Sequence, residues 1–356
     1  MRYLFIHPPG KEYENIHRRY ESFSRALKQK YQSKAEIIDG KIFQKNENIS
    51  GSIGSEADVI VINVSACQDS ANMIQHWRAH DKIVIIDLSL PVILDQQSNT
   101  YQIGSVIINK DSGEQIVKVS VDRDNLIWIL KLANGVITNS RQAIEDWYGI
   151  VKMFFVPDFL DLDKYLIHPF ETHSGIKIGV KLSEGGINKL LETGLKEPIE
   201  SIGNHHEQVK FVLFGEYPQF AHLLQIPPTQ KRFIAPFEYV QWQSILPSLD
   251  IGILPKLNAY DIRCGREDVL ELMVSKVPWI ISDGLYCHEL RQYGWLVQNK
   301  PGAWERILED MIANLETYRN ETDEAYLYVL GQGIDDNIEL LVDICVSLKS
   351  EINTGD

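Results

Sequence analysis

At 356 residues with 44% apolar side chains, the chain is too long for one small core and can fill two of ordinary size. Its 35 basic residues against 49 acidic ones leave a formal net charge of -14, which excludes general nucleic-acid binding, because nothing in the total would displace phosphate counterions. A local basic patch stays open. The opening "MRYLFIHPPGKEYE" has only a short apolar run before a Pro-Pro-Gly turn, neither a signal h-region nor a membrane span. A cytoplasmic protein is expected, with peripheral membrane contact left open. Cys67, Cys264, Cys287 and Cys345 are scattered without CxxC spacing, as reduced thiols would be.

Short β-branched or aromatic runs alternate with longer amphipathic segments from the first residue, the pattern of parallel sheets wound with helices. "RYLFIHP" opens the first series, followed by the helix "YESFSRALKQKY" and the strands "AEIIDG" and "ADVIVINVS", the last continuous enough to be buried on both faces. The helix "SANMIQHWRAH" and the strand "KIVIIDL" come next. "TYQIGSVIINKDSGEQIVKVSVD" alternates around an Asp-Ser-Gly turn and predicts an inserted hairpin. "NLIWILKLANGVITNSRQAIEDWYG" reads helix, strand, helix, and "MFFVPD" closes this half. The Pro- and Asp-bearing connector "DFLDLDKYLIHPFETHSG" is the best boundary, which predicts domains over 1–157 and 158–335.

The second series runs "IKIGVKL", a helix across "INKLLETGLKEPIESI", then "VKFVLFG", "KRFIAPF" and a helix across "YVQWQSILPSL". It continues with "DIGILPK", the helix within "DVLELMVSKVPWIISD", the strand "PWIIS" and the short "GWLVQ". Two helices end the chain, across "AWERILEDMIANLETYRNE" and about 336–350, and the second could pack back on the first domain. At 100° per residue Val269, Leu270, Leu272, Met273 and Val274 share one helix face, with Glu267, Asp268, Glu271 and Ser275 on the other. From periodicity alone Glu271 is either solvated decoration or a ligand group.

Other signatures are poor. His76 and His80 stand one turn apart but lack the glutamate and third ligand of a zinc protease. No G-x-G-x-x-G follows the first strand and no P-loop lysine motif occurs, which excludes the common dehydrogenase and ATPase patterns. Asp122/Asp124 and Asp161/Asp163 have DxD spacing, and the second pair falls in the connector as turn residues would.

In its C-terminal half the chain resembles the group-1 retaining glycosyltransferases of the GT-B fold. "FFVPDFLDLDKY" is similar to the family's "V-I-P-N-G-V-D-L-D-x-F", "IGVKLSEGGI" to "V-G-R-L-S-x-x-K-G-I", and "FVLFGEYP" to "L-V-G-x-G-P". "LPSLDIGILP" resembles "L-x-x-A-D-I-x-L-x-P", and the Glu271 stretch resembles "L-E-A-M-A-x-G-x-P-V-V-x-S". Order and spacing hold over about 130 residues; the N-terminal half matches only loosely, through its first strand and "LANGVITNS".

The resemblance implies an α/β protein of GT-B fold, two Rossmann-like parallel-sheet domains facing an interdomain cleft, with acceptor first and donor second. It implies transfer of a hexose from a UDP-, GDP- or ADP-sugar to a glycan or lipid-linked acceptor, with no metal and no further cofactor. Lys181 and Glu271 fall on the catalytic positions, Lys181 where an arginine binds diphosphate and Glu271 where a carboxylate accepts from ribose hydroxyls. Donor contacts are expected from Arg263, Gly265, Arg266, Glu267, Asp268, Ser183, Gly215, Glu216 and Phe237, with the amides of residues 266–268 facing phosphate. Acceptor-side positions are Gly10, Lys11, His17 and Asp87.

There are departures from the pattern. The clamp lysine falls on Gly185 or Gly186, and the first glutamate of the motif falls on Arg263. Arg263 and Arg266 could instead take a donor carboxylate or phosphate, and Glu267 and Asp268 could cap the helix themselves. A silent GT-B protein that binds a sugar nucleotide or a partner protein is the alternative, and a GT-B epimerase the third reading.

Overall fold

The computed structural model describes residues 1–8, 14–40, 54–67, 71–96, 99–103, 119–165, 173–182, 186–215, 223–235, 239–257, 259–284 and 288–354. In its first half the chain forms β1 (Tyr3–His7), β2 (Ala35–Asp39), β3 (Val59–Asn63) and β4 (Ile83–Asp87). An insertion follows, β5 (Val92–Asp95), β6 (Thr100–Ile103) and β7 (Val119–Asp122), before β8 (Gly135–Thr138) and β9 (Met153–Phe155). One sheet takes six of these in the order β2-β1-β3-β4-β8-β9, all parallel. β3 and β4 are buried along their whole length, as unbroken apolar runs between two helical layers must be. The insertion is an antiparallel three-stranded sheet. Its β6–β7 pairing is the expected hairpin, whose turn lies outside the described residues; β5, "VILD" after Pro91, carries too little alternation to be read from sequence.

The second half forms β10 (Ile176–Leu182), β11 (Val209–Gly215), β12 (Lys231–Ile234), β13 (Ile251–Leu254), β14 (Trp279–Ser282) and β15 (Trp295–Val297). They make a second all-parallel sheet, ordered β12-β11-β10-β13-β14-β15. Successive strand residues serve opposite layers: Val212, Phe214, Trp279 and Ile281 belong to one core, Phe211, Leu213, Ile253 and Ile280 to the other. The expected fold class, two doubly wound parallel sheets, is therefore present.

Two helices differ from expectation. The segment "INKLLETGLKEPIESI" is two helices, Gly186–Glu192 and Lys196–His205, because Gly194 at φ 69 ends the first in the left-handed conformation. Pro301–Ala313 and Leu315–Asn320 likewise replace one long helix; Asn314 turns its side-chain amide onto the Asp310 carbonyl, competing with the helical ladder. The final helix, Glu339–Thr354, returns to the first sheet, where Leu341, Ile344, Cys345 and Leu348 join the N-terminal core. The carboxyl edges of the two sheets meet. Arg18 and Arg19, on the helix Glu14–Tyr31 that follows β1, reach Glu267 beyond β13 and Asp158 beyond β9.

Candidate functional site

In the second sheet the chain order reverses between β10 and β13, and ligands of open α/β sheets bind beyond the carboxyl ends of strands at such a point. Lys181 is the penultimate residue of β10, Lys256 lies just past β13, and the helix Glu267–Val274 begins above both. That helix packs Val269, Leu270, Leu272, Met273 and Val274 into the core, as its apolar face predicts. On its polar face Glu271 is closed to solvent, 0% exposed.

Glu271 is sealed by three donors. Tyr165 Oη donates to Oε1 at 2.9 Å, while Lys181 Nζ at 2.7 Å and Trp242 Nε1 at 3.3 Å donate to Oε2. A buried carboxylate needs such partners, because an unpaired one would carry its full desolvation cost. Burial first, then the Glu271 and Glu267 carboxylates, push the Tyr165 hydroxyl well above its ordinary range and hold its proton. Since that single proton goes to Glu271, Tyr165 accepts from Gln243 Nε2 at 2.9 Å, and in its 3.1 Å contact with Tyr239 the Tyr239 hydroxyl is the donor. The ring centroids of Phe214 and Tyr239 lie 5.5 Å from Lys181 Nζ, and that of Trp242 5.9 Å. Aromatic walls of this kind exclude water and favour the cation.

Lys181 also pairs with Asp268 Oδ1 at 2.7 Å, and Lys256 Nζ lies 3.3 Å from Asp268 Oδ2. Burial works against the Lys181 charge, but the carboxylates of Asp268, Glu271 and Glu267 override it and raise the ammonium above its ordinary value. For Asp268, burial pushes the carboxyl up, and Lys181 and Lys256 more than offset it, holding it below the usual carboxylate range. A carboxyl depressed in the folded state stabilises the fold above its unfolded value of about 3.9 and loses that contribution as pH falls further. Urea midpoints between about pH 6 and about pH 2 are therefore expected to fall more steeply for the parent than for Asp268→Asn. Parallel curves would exclude a depressed Asp268.

The helix start differs from a plain row of open amides. Arg266 N–H donates to Asp158 Oδ2 at 3.1 Å, and Arg19 Nη1 and Asn139 Nδ2 donate to Asp158 Oδ1 at 2.8 and 2.9 Å. A protein carboxylate thus occupies one of the three amides expected to face phosphate. Gly265 permits this approach, since a Cβ there would stand 1.7 Å from Asp158 Oδ2. The Arg266 guanidinium points away, to Tyr328 Oη at 3.0 Å and Gln332 Oε1 at 2.5 Å. Arg263 forms a two-point pair with Asp146 of the first half, at 2.6 and 3.0 Å. Glu267 pairs with Arg18 at 3.1 Å, and the Arg18 guanidinium lies 3.3 Å over the Tyr239 ring. Charge reversal at Arg263 therefore has a structural explanation, an ion pair between the two halves.

Of the other expected positions, Gly215 ends β11 opposite Leu182. Ser183, Glu216, Phe237, Gly10, Lys11, Gly185 and Cys287 lie outside the described residues. His17 makes a 3.2 Å contact with Glu21 one turn on and packs edge-on to His7. Asp87 is 0% exposed beneath Arg19, whose Nε lies 3.5 Å away, so it braces an arginine rather than facing open space. Burial, first among its causes, raises its carboxyl above the ordinary value. The DxD members have local roles: Asp122 caps the helix Arg123–Leu132 and Asp161 pairs with Arg25. Sequence reasoning missed Lys256, Asp158, Tyr165 and Trp242; the Lys256 signal, a cation directly after "ILP" at the end of a buried strand, was available.

No family model and no curated protein matches the chain. Solved structures do. Sucrose-phosphate synthase from Thermosynechococcus elongatus superposes with a TM-score of 0.68 at 12% identity, over 98% of this chain and 100% of that one. HepE of Anabaena, in complex with UDP and glucose, gives 0.61 at 12% identity over 98% and 99%. The UDP-GlcNAc 2-epimerase of Neisseria meningitidis, bound to UDP-GlcNAc, gives 0.56 at 10% identity over 98% and 100%. The fold is GT-B, and its representatives here include both a synthase and an epimerase.

Proposed function

We propose that the chain is a nucleotide-sugar-dependent glycosyltransferase acting with retention, moving a hexose from a UDP-, GDP- or ADP-sugar to a glycan or lipid-linked acceptor. One observation carries the reading: Lys181 and Glu271, 90 positions apart and singled out independently by motif, meet at 2.7 Å beyond the strand ends at the switch point. The UDP complex of HepE and the UDP-GlcNAc complex of the epimerase support a nucleotide-sugar ligand on this fold. In the reaction the bond from the sugar C1 to the diphosphate oxygen breaks as the acceptor oxygen bonds to C1 on the same face. The acceptor proton passes to the departing phosphate. The protein's main contribution is electrostatic stabilisation of the leaving group, the role assigned to Lys181.

A second reading, a silent sugar-nucleotide binder, is favoured by the engagement of Lys181 with two carboxylates and of the Arg266 amide with Asp158. A panel of UDP-, GDP- and ADP-hexoses with mixed acceptors separates the possibilities. Transfer with retained anomeric configuration is expected from the parent, and loss of at least about a hundredfold in Lys181→Met, the size of effect for one stabilising donor. Tight binding without turnover would establish the silent reading, and conversion of the donor without an acceptor would establish an epimerase.

A further inference from the structure

The sequence leaves the diphosphate with one strand-end cation, because the second clamp position holds Gly185 or Gly186. A second cation is nevertheless present. Lys256 comes from the other side of the switch point, and its main chain is pinned on both sides: its N–H donates to Ser282 Oγ at 2.8 Å and its carbonyl accepts from Asn299 Nδ2 at 2.9 Å. Its side chain is 5% exposed and reaches the same carboxylate as Lys181, so Asp268 bridges two ammonium groups with one oxygen each. Within the cluster Asp268 is the outer member, 20% exposed against 7% for Lys181 and 0% for Glu271. Among the described residues nothing accepts from the Glu267 and Asp268 amides, which stand beside it as helix-start donors.

Resting on the glycosyltransferase reading above, we infer that Lys181 and Lys256 together form the seat for the donor's diphosphate, and that the Asp268 carboxylate is a built-in anion which the diphosphate displaces. Two phosphoryl oxygens at the positions of the Asp268 oxygens meet the same two ammonium groups. Lys181 keeps Glu271 as a partner when Asp268 withdraws, so only one of its two ion pairs is exchanged. The ligand class is a nucleoside diphosphate or its sugar ester. A nucleoside monophosphate spans the pair less well.

Titration calorimetry with UDP, GDP, ADP and the matching monophosphates tests this on the full chain. Lys256→Met is expected to weaken the best diphosphate roughly tenfold or more, with a smaller effect on the monophosphate, the size of one charge-assisted contact. Asp268→Asn is expected to tighten it by a similar factor while lowering the melting temperature of the free protein, and a purely structural Asp268 would give the second effect without the first. Should Lys256→Met fail to fold, Asp268→Asn decides alone, tighter binding supporting the assignment and unchanged or weaker binding overturning it. If the parent binds UDP and loses it in Lys181→Met, yet Lys256→Met binds as the parent does, this inference falls and the glycosyltransferase reading stands. If neither the parent nor Asp268→Asn binds any of the three diphosphates, both fall.

Discussion

Lys181→Met is expected to destabilise the protein by about 3–5 kcal/mol, the range for removing one partner from a buried ion pair. The cause is what remains: Glu271, 0% exposed, and Asp268 would face each other without the ammonium that lies 2.7 Å from both. Urea unfolding measures the loss. Lys181→Met/Glu271→Gln is expected to recover much of it, because a neutral amide in that aromatic pocket still accepts from Tyr165 and Trp242. Additive losses in the double variant would mean that the two groups do not form the pair described.

Gly265→Ala is expected to loosen the junction between the halves. Its methyl would fall 1.7 Å from Asp158 Oδ2 and 2.4 Å from Asn139 Nδ2, so the carboxylate must leave Arg266 N–H, and Arg19 loses one of its partners. Hydrogen bonds to a charged group contribute about 1.5–3 kcal/mol each, which sets the scale of the loss. Faster proteolysis at the connector around Asp158 and a larger radius of gyration in solution scattering are the readouts. Asp158→Ala in the same chain removes the closer of the two collisions, so the double variant is expected to be less damaged than the sum of the singles. Full additivity would place Asp158 away from Gly265.

Most strands were legible because a strand buried on both faces requires a continuous β-branched or aromatic run, and "VIVIN", "IVIID" and "WIIS" have no other comfortable environment. Helix ends were less legible. Gly194 and Asn314 break periodic segments by backbone conformation and side-chain competition, which apolar spacing does not record. At the site, the motif points to Lys181 and Glu271 but not to their mutual contact, and it leaves Asp268 open between cap and ligand group; in the structure Asp268 bridges two lysines.

What the sequence determined by itself is the pair of parallel sheets and the strand ends on which Lys181, Lys256 and the Glu271 helix stand, because periodicity and β-branching act over a few residues. The tertiary structure alone decided which charges meet. Asp158 reaches Arg266 across 108 positions, Tyr165 reaches Glu271 across 106, and Arg18 reaches Glu267 across 249. A buried charge is tolerable only beside its partner, and that partner is chosen by how elements far apart in the chain pack together, a distance that no local pattern encodes.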